Sequence, residues 1–210
     1  MAETTKKFRR RAEARPDEVL DAALAVFVEK GFAAAKVEEI ARQAGVSKGL
    51  VYLYFPSKEA LLEGIVRRAL APIADEAVNR LAHFDGDPRD AITMLLTTIC
   101  LQLSDPARLA IPKVVISEVV RFPAIASMYR REVIDKVRPA LATLLARGVA
   151  AGHLRPIDPE MAIRSVIGPL VVHIALFALF DVDSEAGLDM PRLLESHLDI
   201  LFHGISAVTP

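Results

Sequence analysis

Tryptophan is absent from this sequence of 210 residues, and aromatic residues make up only 6% of it. Alanine and leucine are abundant instead, a composition typical of a helical protein rather than of a β-sandwich or barrel. Cysteine occurs once, at Cys100, which excludes a disulfide framework and a zinc site made of cysteines alone. The first 15 residues are basic and hold no apolar stretch, so we expect no secretory signal and a cytoplasmic protein.

Neither sign of charge dominates the sequence, because 26 Lys and Arg residues face 27 Asp and Glu residues. The distribution is uneven: residues 1–58 carry 11 basic and 8 acidic side chains, whereas residues 59–210 carry 15 and 19. A basic N-terminal arm on an acidic body predicts a polyanionic partner for the arm, and a solvated tail is the alternative. The arm, residues 1–15, holds five of these cations within six positions: Lys6, Lys7, Arg9, Arg10 and Arg11.

Apolar residues recur at helical spacing along the chain, and a hydrophobic share of 52% excludes a disordered one. There is no alternating strand pattern and no internal repeat, so the predicted fold class is all-α. Asp-Pro pairs such as Asp87-Pro88 mark helix starts, since Asp is a good N-cap and Pro a good first residue. The predicted helices are 16–30, 37–44, 48–54, 58 to about 71, 88–103, 106–120, 124–151, 159–181 and 191–206.

The strongest pattern lies between Val37 and Phe55. Helical spacing of Val37 and Ile40 predicts one amphipathic helix, and Gly45 permits a tight turn that a residue with a Cβ resists. Ser47 offers its hydroxyl as the N-cap of a second, short helix. Two helices joined by such a turn predict a helix-turn-helix.

The outward face of the short helix has an unusual composition for a plain surface helix. Tyr hydroxyls and a Lys ammonium are good phosphate partners, and a glycine lets the helix approach a duplex closely. Leucines there would read groove shape or thymine methyl groups. The alternative is a corner of a helical bundle with incidental tyrosines. The outward residues are Lys48, Gly49, Leu50, Tyr52, Leu53 and Tyr54.

Residues 37–62, which read VEEIARQAGVSKGLVYLYFPSKEALL, closely resemble the DNA-binding signature of the TetR/AcrR family of transcriptional regulators. The resemblance covers residues 16 to about 66. It implies an all-helical homodimer with a three-helix DNA-binding domain over 16–66 and a C-terminal effector-binding and dimerisation domain over 67–210. Segments 118–126 and 144–156 are similar to one subgroup of that family.

Carried over by position, the resemblance implies that Lys48 and Gly49 face bases and that Leu53 faces the groove floor. One departure concerns Lys36, at or beside which the family often has a capping threonine. Loss of that cap typically costs about 1 kcal/mol, although Lys36 can still reach a phosphate as a point charge. The predicted phosphate contacts also include Ser47, Tyr52, Tyr54 and Lys58. The DNA-binding candidates are therefore Lys36, Ser47, Lys48, Gly49, Leu50, Tyr52, Leu53, Tyr54 and Lys58.

The C-terminal part lacks the motifs of an enzyme. It has no glycine-rich phosphate loop, no nucleophile elbow and no histidine pair at metal-ligand spacing. We therefore expect no enzymatic activity, no cofactor and no metal site.

Residues 165–180 form a 16-residue run without a formal charge. A membrane span needs about 20 apolar residues, so we expect no membrane span and a helix buried between its own domain and a second subunit. The last two long helices are then the predicted dimer interface. Its candidates are Ile167, Leu170, Val171, Ile174, Leu198, Leu201 and Phe202.

An effector pocket is predicted between helices 88–103, 106–120, 124–151 and 159–181. Ionisable residues are scarce on the faces that would line it, which favours a hydrophobic or singly charged small molecule. Ordinary core packing is the alternative for each candidate. The effector-binding candidates are Met94, Arg121, Phe122, Tyr129, His173 and Phe177.

Together these patterns predict a DNA-binding transcriptional repressor, released from a palindromic operator by a small effector. The alternative is a DNA-binding protein whose C-terminal domain only dimerises or binds a protein partner.

Overall fold

The computed structural model describes residues 2–180, 182 and 189–205, with side chains from Pro16 onward, and these residues are helical almost throughout. The predicted all-α fold class is confirmed. A π-helical turn, Arg130–Ile134, joins α8 to α9. The helices are α1 (Ala2–Ala34), α2 (Val37–Gln43), α3 (Lys48–Tyr54), α4 (Lys58–Ala69), α5 (Ala71–Ala82), α6 (Pro88–Leu103), α7 (Pro106–Glu118), α8 (Pro123–Tyr129), α9 (Asp135–Ala150), α10 (Pro159–Phe180) and α11 (Met190–Ile205).

Side-chain caps set most of the predicted helix starts. The hydroxyl oxygen of Ser57 accepts the backbone N–H of Ala60 (3.1 Å) at α4, and Asp87 accepts that of Arg89 (2.9 Å) at α6. Such bonds satisfy donors that the first turn of a helix leaves without an intrahelical partner. The same arrangement, confirming the sequence interpretation, begins α3 at Ser47, α7 at Asp105, α10 at Asp158 and α11 at Asp189.

The first helix is longer than predicted. It begins at Ala2, so the backbone of the basic arm is helical and Pro16 lies inside α1 rather than at its first turn. The side chains of the five arm cations lie outside those that the structure describes. Gly31 interrupts α1 with φ 76° and ψ 154°, a left-handed conformation that glycine adopts readily.

Two elements differ from the sequence prediction. Helix α5 forms where no helix was predicted, because its inward stripe consists largely of small residues, Ala71 and Ala74 with Leu81. The predicted 124–151 helix is divided into α8, the π turn and α9. A π turn inserts one residue into a helix and therefore rotates the side chains that follow it.

Two hydrophobic cores organise the fold. The first core packs α1–α4 around Phe27, Phe32, Ile40 and Leu62, and it also takes in residues of α7 and α8 such as Ile111. The second core joins parts of α5, α6, α9, α10 and α11 through aliphatic side chains. The expected division near residue 66 therefore does not separate the cores cleanly, since α7 and α8 help to complete the first one.

Candidate nucleic-acid interface

The turn between α2 and α3 has a defined backbone geometry. The N–H of Val46 donates to the carbonyl of Ala41 (2.9 Å), and that of Gly45 donates to the carbonyl of Arg42 (3.2 Å). This pair of bonds is the Schellman motif, which needs a left-handed residue at its centre. Gly45 supplies it with φ 64° and has open space around its Cα, so backbone conformation rather than crowding selects glycine.

One apolar edge fixes how α3 is presented. Val51 is fully buried, and Val46 and Phe55 pack half-buried against the first core on either side of it. The opposite face is left open, with Leu53 75% exposed and Tyr52 43% exposed. Of the remaining candidates on α3, Lys48 and Gly49 are exposed and Leu50 and Tyr54 are half-buried.

The charges beside α3 are arranged in pairs. Lys48 at the start of α3 donates to Glu38 of α2, and this bond lowers the pKa of the Glu38 carboxyl and raises that of the Lys48 ammonium. Lys30 of α1 donates to Glu39 (2.6 Å) and lowers the pKa of that carboxyl. The Lys48–Glu38 pair is open to solvent, whereas Glu39 is half-buried, so a DNA phosphate or base can replace Glu38 as the partner of Lys48.

Two further lysines predicted to meet phosphate differ in their surroundings. Lys36 is the exposed N-cap residue of α2 and makes no side-chain capping bond, as the sequence indicated. Lys58 is committed to the fold: its ammonium donates to the carbonyls of Phe32 (2.8 Å), Ala33 (3.0 Å) and Ala35 (3.0 Å). An ammonium has three donors, so this geometry favours a structural role, and a phosphate contact at Lys58 stays a prediction.

Helix α4 is tied to the π turn by a ring of charges. Arg67 contacts Glu63 (2.8 Å) and Glu132 (3.1 Å), and Arg131 contacts the same two carboxylates at 3.0 and 3.2 Å. Glu132 is buried within the π turn. The Arg67 guanidinium, followed by that of Arg131, holds the pKa of the Glu132 carboxyl below its ordinary value. The ring therefore couples the helix that leaves the first core to the C-terminal half.

The structure places a cavity of about 570 Å³ between α1, α6, α7 and α10. Only Phe177 among the six effector candidates lines it. The expected wall from residues 124–151 is replaced by α1, which contributes Phe27, Val28, Gly31 and Phe32.

The other effector candidates lie elsewhere. Met94 and Arg121 are exposed, while Phe122 and Tyr129 pack on the first core. The ring of Phe122 meets that of Phe32 edge to face, with 5.1 Å between centroids. His173 has a buried Nε2 without a hydrogen-bond partner among the described residues. These positions stay predictions for effector binding, without support from the cavity.

Sequence reasoning missed the charged residues of this cavity, Lys113 and Glu118 of α7. The Lys113 ammonium lies 4.0 Å from the centroid of the Phe177 ring. Their sequence signal is weak, because single charges on a helix usually face solvent. No group of three or more metal-ligating side chains stands together among the described residues.

The predicted dimer residues divide by burial. Leu170, Ile174 and Leu201 lie inside the chain's own second core, and Ile167, Leu198 and Phe202 are half-buried against it. Of the seven, Val171 is exposed. Besides Val171, the apolar side chains that α10 and α11 leave exposed lie outside the predicted set. They are Met161, Val172, Leu176, Leu179, Phe180 and Ile200.

Helix α10 is apolar and largely uncovered. The helix has 22 residues, and its most apolar 18-residue stretch has a mean hydropathy of 2.0. Only 17% of that stretch is buried in the protomer. By length and composition it is sufficient to cross a membrane, but helices of soluble proteins meet the same criteria, so the expectation of no membrane span stays a prediction. A large exposed apolar face of this kind marks an interaction surface.

Both halves of the chain match family models. Residues 19–65 match the model for bacterial regulatory proteins of the tetR family, and residues 85–190 match the tetracyclin repressor-like C-terminal domain. The HTH-type transcriptional regulator YuxN of Bacillus subtilis is 50% identical over 81 residues, which make up 39% of this chain and 28% of that protein. The chain spans less than half the length of the first curated relatives that it matches.

Solved structures resemble nearly the whole chain. SmeT, the repressor of the Stenotrophomonas maltophilia multidrug efflux pump SmeDEF, has a TM-score of 0.75 at 22% identity, covering 91% of this chain and 90% of that one. SmeT has also been solved with triclosan, and that structure has a TM-score of 0.74 at 22% identity, covering 92% of both chains. FadR from Bacillus subtilis in complex with stearoyl-CoA has a TM-score of 0.72 at 20% identity, covering 89% of this chain and 97% of that one. At these identities the likeness establishes the fold.

Proposed function

We propose that this chain, which belongs to the TetR family of bacterial regulatory proteins, is a cytoplasmic transcriptional regulator that binds double-stranded DNA through α3. The observation that carries the proposal is the open face of α3, held outward by buried Val51 and by the Schellman turn at Gly45. Exposed Tyr52 supplies a hydroxyl for phosphate, and exposed Leu53 supplies an apolar surface for a groove. The helical basic arm would add affinity without sequence preference.

The regulator acts as a homodimer on a palindromic operator. The uncovered apolar face of α10 supports a second copy as its cover, since Val172, Leu176 and Leu179 follow one helix face at i, i+4 and i+7. A two-fold axis through α10 and α11 would place two α3 helices in successive major grooves, about 34–36 Å apart or somewhat more.

A small hydrophobic or singly charged effector releases the regulator from DNA. The cavity of about 570 Å³ has a volume typical of small-molecule sites and supports this reading over a C-terminal half that only dimerises. The complexes of SmeT with triclosan and of FadR with stearoyl-CoA show that proteins of this fold accommodate ligands with a large apolar part. These ligands support an apolar effector class here without naming its member.

DNA binding is tested by selecting an operator from random duplexes and measuring affinity by fluorescence anisotropy. The Tyr52→Phe, Tyr54→Phe double variant should weaken binding to operator and random DNA alike, because phosphate contacts carry no base identity. Lys48→Ala should weaken operator binding and relax base preference. Val28→Ala is the matched control, an exposed residue of α1 away from α3. Wild-type operator affinity in the double tyrosine variant would contradict the assignment.

Assembly is tested by sedimentation velocity. Arginine at both Val172 and Leu179 should give monomers with lost operator binding, because it places charge on the open face of α10. Leu101→Arg is the control, an exposed apolar residue on α6, and should leave the dimer intact. Leu201 is unsuitable, since it is buried and its substitution would report folding. An intact dimer in the double arginine variant would move the interface elsewhere.

A further inference from the structure

The cavity lined by α1, α6, α7 and α10 lies where the two halves of the chain meet. Its apolar wall includes Phe27 and Phe32 from the first core and Leu103 from the second. Gly31, at the backbone interruption of α1, also borders it. Because Phe27 and Phe32 are buried, a molecule in this space touches the DNA-binding half through Val28 and Gly31 of α1.

One cation stands in this mostly apolar wall, with no counter-ion among the residues that the structure describes. Lys113, in the middle of α7, is half-buried, and its ammonium rests over the Phe177 ring at 4.0 Å. Among the described residues it makes no ion pair and its ammonium donates no hydrogen bond. Because Lys113 has no anionic partner among the described residues, a ligand that brings an anion to it gains a charge-assisted bond.

Glu118 distinguishes the two ends of the cavity. It is the last residue of α7, and its Oε1 would lie 3.7 Å from a Cβ built on Gly31. A second negative group is disfavoured beside this carboxylate and the negative end of the helix. The charge pattern fits a ligand with one anionic group at Lys113 and an uncharged remainder.

We infer that this interdomain cavity binds an elongated apolar molecule carrying a single carboxylate, with the carboxylate on the Lys113 ammonium and the tail against the accessible side chains of Val28, Pro106 and Leu109. The binding site stands on the cavity itself, and only its regulatory consequence rests on the proposed function. Ligand in the cavity contacts Val28 and Gly31 of α1, next to the Phe32 carbonyl that Lys58 of α4 holds. Binding thereby favours a different setting of α1 against α4, and so of α3.

Isothermal titration of the full chain with decanoate tests the site, with decyltrimethylammonium as a probe of similar tail and opposite charge. Lys113→Met keeps most of the length of the side chain and removes its charge, and should weaken decanoate binding about tenfold or more. Lys136→Met, the matched control, removes a lysine of α9 outside the cavity and should change decanoate affinity by less than about threefold. Ala178→Leu narrows the cavity from α10 and should also weaken binding. Circular dichroism melts establish that each variant is folded.

Equal decanoate affinity in the wild type and Lys113→Met would overturn the inference. So would tighter binding of decyltrimethylammonium that is lost in Glu118→Gln, since it would assign the site to cations. Anisotropy with the selected operator separates this inference from the proposed function. Decanoate binding with no operator binding at all would refute the function and leave the site. Operator binding by a protein that binds no decanoate would refute the site and leave the function.

Discussion

The two cores of this molecule differ in how their positions are fixed. The first core contains fully buried aromatic rings, with Phe27 and Phe32 5.1 Å apart, and directional polar contacts such as those of Lys58 surround it. Among the described residues of the second core, the fully buried side chains are aliphatic. One directional contact there joins His197 Nε2 and the carbonyl of Val166 at 2.8 Å. Aromatic geometry and polar contacts define one arrangement closely, whereas aliphatic packing tolerates several.

The largest expected effect comes from a substitution at Phe32. Its ring joins the two halves because it contacts both Phe27 and Phe122. Phe32→Ala should lower the free energy of unfolding by about 3–5 kcal/mol. Leu96→Ala, a fully buried change in the second core, should cost about 2–5 kcal/mol and is the control. Urea melts measure both, and operator affinity measured under folding conditions should fall for Phe32→Ala alone. Equal operator affinity in the two variants would mean that Phe32 does not position the DNA-binding half.

A smaller effect separates structural from phosphate-binding lysines in the first core. Lys58→Met removes three bonds to carbonyls and should destabilise the protein by about 2 kcal/mol. Lys36→Met, on an exposed residue, should change stability by less than about 0.5 kcal/mol. It should instead reduce the slope of log affinity against log salt by about 0.9 for one lost phosphate contact. A flatter salt slope with unchanged stability in Lys58→Met would assign Lys58 to DNA.

The smallest effect concerns the pH dependence of the ring between α4 and the π turn. Arg67 and Arg131 depress the pKa of folded Glu132, so this carboxylate stabilises the fold above its ordinary pKa near 4.5. That contribution is lost as pH falls through the lower folded value. Glu132→Gln should therefore remove part of the stability difference between about pH 7 and pH 4 in urea melts. Glu76→Gln, in an exposed pair with Arg80, is the control and should leave the pH profile unchanged.

The sequence was sufficient to predict most helices, because their starts depend on single local residues. Ser47, Ser57 and Asp87 each accept a bond from the turn that follows, and such a pattern can be read without tertiary structure. Helix α5 was not predicted because alanines give only a weak apolar stripe along a helix. The π turn was not predicted because it includes Glu132, which contacts Arg67 of a helix distant in sequence, and a local pattern does not indicate such a contact.

The same distinction applies to the functional residues. The turn at Gly45 and the outward face of α3 follow from spacing within about twenty residues, so both could be predicted. The cavity forms where α1, α6, α7 and α10 pack together, and no local sequence pattern predicts which helices pack together. Burial on α10 illustrates the limit: Leu170 is in the core whereas neighbouring Val171 is 47% exposed, although their side chains have similar hydrophobicity. Only the positions of the neighbouring helices decide between them.

The ammonium of Lys58 has a consequence for how the folded chain is closed on itself. It joins positions 26 residues apart, from Phe32 to the start of α4, and the segment between them contains the whole helix-turn-helix. In terms of chain entropy this contact is a non-covalent cross-link that closes one loop. Unlike a disulfide it does not restrict the unfolded chain, so it contributes only while the fold persists. In a protein whose one cysteine is buried, a single lysine thus holds closed the loop that presents α3.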